Sequence, residues 1–141
     1  MFKKAIIPLF ILFFLGCPKN EECISLKEAE EIVLYDIVGA DTMEWDTTKI
    51  RVYELPYMLE EGDTVRIAKI DPDEEYPEEN YRDTVFTLRE DCWYFYIDDT
   101  PPLEMMIGRH VFVYSDKKYD IIYSIGPLSY YWNNEMIEIK W

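Results

Sequence analysis

The sequence predicts an α+β domain in which one N-terminal helix packs on a mainly antiparallel β-meander sheet. Two observations carry this. The segment ISLKEAEEIVLYDIVGAD spaces its apolar residues at helical intervals, and from Lys49 onward the chain changes to β-branched and aromatic runs separated by short turns. A helix followed by consecutive strands belongs to α+β architecture; a regular alternation of the two would have meant α/β.

The helix is expected over residues 26–38. Ser25 with Glu28 three residues later is a capping-box pattern, and the acidic residues of the first turn oppose the helix dipole favourably. Leu26, Ala29, Val33 and Ile37 share one face, flanked by Ile32 and Leu34, and Gly39 ends the segment. Strands are expected over residues 49–55, 64–70, 83–89, 92–98, 109–115 and 119–125, with a last piece near 135–141. The intervening EEGD, RED and SDKKY segments are short enough for hairpins, which favours antiparallel pairing.

Side-chain alternation assigns faces within the central strands. Trp93, Phe95 and Ile97 fall on one face and Cys92, Tyr94 and Tyr96 on the other, while Val111 and Val113 oppose His110, Phe112 and Tyr114. Both faces are therefore apolar or aromatic. One should lie under the helix, and the other should be covered by loops and the C-terminal segment or be left as a tyrosine-rich surface.

The amino-terminal residues are of a different kind. Lys3 and Lys4 precede an apolar run from Ala5 to Leu15, which ends at Gly16-Cys17. Spanning a membrane takes about 20 apolar residues, so this run suits a secretory signal peptide better than a transmembrane helix. Phe14-Leu15-Gly16-Cys17 resembles the lipobox of bacterial lipoproteins, with Phe14 where that family usually has Leu. The resemblance implies cleavage before Cys17, a diacylglycerol on its sulfur, attachment to a membrane through acyl chains, and a place in the cell envelope. The expected organisation is then a signal peptide at 1–16, a lipidated tether at 17–23 and a single domain at 24–141. With Cys17 so used, Cys23 and Cys92 remain. Either they form a disulfide, as an oxidising compartment permits, or Cys92 is a small core residue and Cys23 a thiol of the tether.

Charge narrows the partners. The chain has 29 acidic and 14 basic residues, and loss of Lys3 and Lys4 with the signal segment takes the formal charge from −15 to −17. Nucleic-acid binding rests on phosphate neutralisation by Lys and Arg, so nucleic acid is not expected. A domain lying flat on anionic lipid is disfavoured for the same reason.

No catalytic or metal constellation stands out, and no cofactor is expected. His110 is the single histidine and lies in a strand pattern, so it is read as structural, and Ser115 and Ser124 lack a GxSxG context. The acidic segment DPDEEYPEEN has Tyr76 where a calcium-binding EF-hand needs glycine and Arg82 where it needs glutamate. One connection is unusually apolar. In DDTPPLEMMIG, Leu103, Met105, Met106 and Ile107 crowd a loop that needs no such side chains, so they are expected either to cover a sheet face or to meet a partner.

The helix together with residues 83–125, ending in VFVYSDKKYDIIYS, resembles the PepSY and cystatin-like small domains of secreted bacterial proteins. That resemblance implies one helix against a curled antiparallel sheet and a link with peptidase propeptides or inhibition. The leading expectation is a non-enzymatic, membrane-anchored module that binds an envelope protein or polymer. The alternative is a peptidase inhibitor or pro-domain-like module using the 98–108 loop.

Overall fold

A computed structural model of the chain describes residues 23–40, 50–75, 80–99, 107–126 and 135–140. The expected signal segment, Cys17, most of the expected tether, and Leu103, Met105 and Met106 lie outside the described residues. Within them the chain forms one short helical segment and a seven-stranded, wholly antiparallel sheet, so the α+β class holds.

The helical segment begins as anticipated. Ser25 caps it: its hydroxyl accepts from the Glu28 amide at 3.2 Å, and the Glu28 carboxylate accepts from the Ser25 amide at 2.8 Å. Those hydrogen bonds hold the Glu28 carboxyl below the usual glutamate range. The α-helix proper (α1, Leu26–Glu31) is shorter than the expected run, because residues Ile32–Val38 widen into a π-helix that ends with Gly39 N–H donating to Leu34 O. The sequence shows why. Ile32 and Ile37, like Val33 and Val38, are five residues apart, and a π-turn sets such pairs one above the other where an α-turn would rotate Val38 away. All four are buried.

The strands are β1 (Arg51–Glu54), β2 (Thr64–Lys69), β3 (Arg82–Thr87), β4 (Cys92–Asp98), β5 (Ile107–Tyr114), β6 (Tyr119–Ile125) and β7 (Ile137–Ile139), in the order β3-β2-β6-β5-β4-β1-β7. Only β4-β5-β6 is a simple meander. β1 instead joins the far side of β4, and the β2–β3 hairpin attaches to β6, touching it through the single ladder pair Lys69–Ser124. The reason lies in the two-faced central strands, whose second apolar face must also be covered.

Each face has its own core. On one side the helical residues Ala29, Val33, Ile37 and Val38 join Val52, Phe95, Ile97, Val111 and Val113. On the other, Leu55, Leu59, Val65, Ile67 and Leu88 close over Cys92, Tyr94, Tyr96 and Phe112. The second face is thus covered by the hairpin and by the segment after β1. Ile67 is 1% exposed.

This arrangement separates the two cysteines. Ile24 receives a hydrogen bond from Trp93 Nε1 at 2.9 Å, which places the start of the domain on the Trp93 face of β4. Cys92, the neighbour of Trp93 along the strand, points to the opposite face, where it is a free, fully buried thiol. The Cys23–Cys92 disulfide is therefore absent: the sheet lies between them.

Candidate binding groove

The hairpin makes a groove as well as a lid. It is pinned to β6 at Lys69–Ser124 and by Ile70 N–H donating to Tyr123 O, and beyond that corner it leaves the line of β6. The wedge between hairpin and β6 holds a cavity of about 620 Å³, lined by residues that include Lys69, Arg82, Thr84, Phe86, Ile122 and Tyr123. A second hollow of about 350 Å³, reaching toward Tyr114 and Asp120, shares Phe86, Ile121 and Ile122 with the first. Phe86 and Ile122 are half-buried on the hairpin side and form one apolar floor under both, while the half-buried Ile121 side chain packs against the helix-side core.

Along this floor the edge of β6 is unpaired among the described residues. Tyr123 turns its carbonyl toward the hairpin, so by strand alternation Ile121 and Tyr119 direct their backbone N–H and C=O the same way. Among the described residues, the ladder between β2 and β6 does not reach them. Such an edge is a template for another strand.

The groove also gathers cations in an acidic molecule. Lys69 and Arg82 are direct cross-strand partners, and both line the larger cavity. Neither forms an ion pair among the described residues, in contrast to Arg66, which is held by Asp83 at 2.9 Å, and Arg109, which is held by Asp99 at 2.7 Å. Asp71 and Glu74 line the same cavity. The Asp71 carboxylate is engaged locally, accepting from the Asp73 amide at 3.1 Å.

Beneath the groove runs a buried polar chain. Tyr94 O–H donates to His110 Nδ1 at 2.7 Å, His110 Nε2–H donates to Ser124 Oγ at 2.6 Å, and Ser124 Oγ donates to Gly126 O at 2.9 Å. The direction follows from its end: a carbonyl can only accept, which commits the serine proton and so the histidine tautomer. Burial pushes the His110 pKa down to about 3, so the ring is neutral. The structure does bring Ser124 to His110, but both are enclosed and the serine proton is already given to Gly126 O. This is the chemistry of a structural strut. Cys92 is similarly inert, its thiol pushed up to about 12 chiefly by burial.

The remaining polar anomaly is Glu54. Its Oε2 is buried without a hydrogen-bond partner on the helix side of β1, and burial, reinforced by Glu30, raises its pKa to about 7. Among the described residues no group of three or more His, Cys, Asp or Glu is placed to hold a metal ion.

The apolar loop contributes one described residue. Ile107 is half-buried at the start of β5, paired with Ile125, and its carbonyl accepts from the Asp99 amide at 3.3 Å. Gly108 beside it is required by packing, since a Cβ there would lie 2.5 Å from Ile97 O and strike the Tyr96 ring. The groove residues were not singled out from the sequence. Their signal was the alternation Val65-Ile67-Lys69 and Arg82-Thr84-Phe86, which puts a cation on the apolar face of each strand. No family model, curated protein or solved structure matches this chain.

Proposed function

We propose that this chain is a non-enzymatic lipoprotein of a bacterial cell envelope, held at a membrane by acyl chains on Cys17, whose domain binds an envelope partner in the groove between the β2–β3 hairpin and β6. The observation that carries the binding role is the β6 edge, unpaired among the described residues, beside an apolar floor. Strand addition at such an edge supplies main-chain hydrogen bonds, and the floor takes alternate side chains, so the occupant suited to it is an extended polypeptide segment. The non-enzymatic reading is supported by the enclosure of His110, Ser124 and Cys92, the residue types from which a nucleophilic site would be built. The anchoring role rests on Lys3, Lys4, the short apolar run and Leu15-Gly16-Cys17.

Two experiments test the two halves. Cys17→Ser should accumulate unprocessed precursor and take up no labelled palmitate; unchanged size and label would remove the anchor. A photo-crosslinking amino acid at Ile122, whose side chain faces the hairpin side, should capture an envelope protein in cells, whereas the same group at exposed Val85, on the outer face of the hairpin, should not. Equal capture at both positions, or none at Ile122, would remove the groove as the binding site.

A further inference from the structure

Lys69 and Arg82 stand in an arrangement that the fold by itself disfavours. They are directly opposite one another across β2 and β3, and like charges at such positions repel. Acidic residues outnumber basic ones two to one in this chain, yet among the described residues neither member of this pair is held in an ion pair, although Asp71 and Glu74 line the same cavity, while Arg66, on the opposite face of β2, is held by Asp83. Both cations open into the cavity, at the end of the groove where the hairpin meets β6. Next to them lie Phe86, Ile122 and Tyr123, so the site joins the two cations to an apolar floor and to a strand edge that is unpaired among the described residues.

We infer that Lys69 and Arg82 form a carboxylate-binding site at the Ser124 corner of the groove, which receives the acidic end of an extended polypeptide paired along the edge of β6. This rests on the groove being the partner's site. Arg supplies a planar fork of donors and Lys a movable point charge, and together they match the two oxygens of a carboxylate. A segment lying along Ile121 and Tyr119 would place its side chains over Phe86 and Ile122 and bring a terminal or side-chain carboxylate to the cations. The backbone groups offered by β6 favour a peptide over a sugar polymer.

The test uses the full lipidated protein in detergent and a fluorescent octapeptide of alternating Val and Thr with a free C-terminal carboxylate, compared with its C-terminal amide. The acid should bind at least about fivefold more tightly than the amide at low salt, and the difference should shrink as salt is raised. Lys69→Met and Arg82→Met keep the apolar stems, and each should bring the acid down toward the amide's affinity while leaving the amide unchanged. Equal binding of acid and amide, no binding of either, or insensitivity to both substitutions would overturn the inference. So would displacement of the acid by inorganic phosphate at equal concentration, which would mark a simple anion site. If the Ile122 crosslink to an envelope protein persists undiminished in the Lys69→Met/Arg82→Met double variant, the groove remains the partner's site and only the carboxylate assignment fails. If wild-type protein gives no such crosslink, the groove reading itself fails.

Discussion

Glu54 and His110 are buried titratable groups on opposite faces of the sheet, and they set opposite slopes on the pH dependence of stability. The Glu54 pKa is raised to about 7, above its value of about 4.3 in an unfolded chain. Its contribution is complete in acid and is lost as pH rises through about 7, because the folded protein must then ionise a carboxyl with no partner on Oε2. For His110 the folded value is depressed to about 3, below the unfolded value of about 6.5. Its contribution is complete above about 6.5 and is lost as pH falls toward 3, because the unfolded chain takes up a proton that the folded ring refuses. Thermal midpoints measured across pH should therefore peak between about 5 and 6. Glu54→Gln should raise the midpoint by several degrees at pH 8, leave it nearly unchanged at pH 4, and keep the acid decline. An alkaline decline that survives in Glu54→Gln would show that another group causes it.

At the scale of the element, the β2–β3 hairpin combines a packing face with a repulsive end. Val65 and Ile67 belong to the second core, while Lys69 and Arg82 finish the same face with like charges. Two substitutions should move stability in opposite directions. Ile67→Ala should cost about 2–5 kcal/mol by leaving a cavity under the hairpin. Arg82→Met should instead raise the midpoint by one to a few degrees, since opposed like charges cost roughly 0.2–1 kcal/mol. Chemical denaturation of the two variants checks both, and a destabilised Arg82→Met would mean that the arginine has a stabilising partner. The helical segment shows a different compromise. Its π-turn gives up α-helical geometry to bury Ile32, Val33, Ile37 and Val38 together, a pattern plain in their five-residue spacing but masked by the stronger α-helical series Ala29, Val33, Ile37.

Across the whole molecule, the two cores share β4 and β5 as a common wall. Phe95 and Ile97 face the helix, while Tyr94 and Tyr96, their neighbours along the same strand, face the hairpin. Loss of either core exposes the other, so unfolding should be a single transition. Ile37→Ala on the helix side and Ile67→Ala on the hairpin side should each shift one calorimetric peak downward without splitting it. Two resolved peaks in either variant would show that the faces unfold independently.

The sequence by itself determined the α+β class, the capped helix start, the place of every strand to within a few residues and the division of the central strands into two apolar faces. These follow from short-range periodicity, which is written along the chain. Only tertiary structure decided that the hairpin crosses the second face, that Cys92 is sealed away from Cys23, and that Lys69 meets Arg82 beside the edge of β6. The joins between β1 and β4 and between β2 and β6 link residues far apart in the chain, and periodicity says nothing about such partners. The histidine was legible as structural because it lay in a strand. The binding groove was not, because it exists only where two separately legible elements part company.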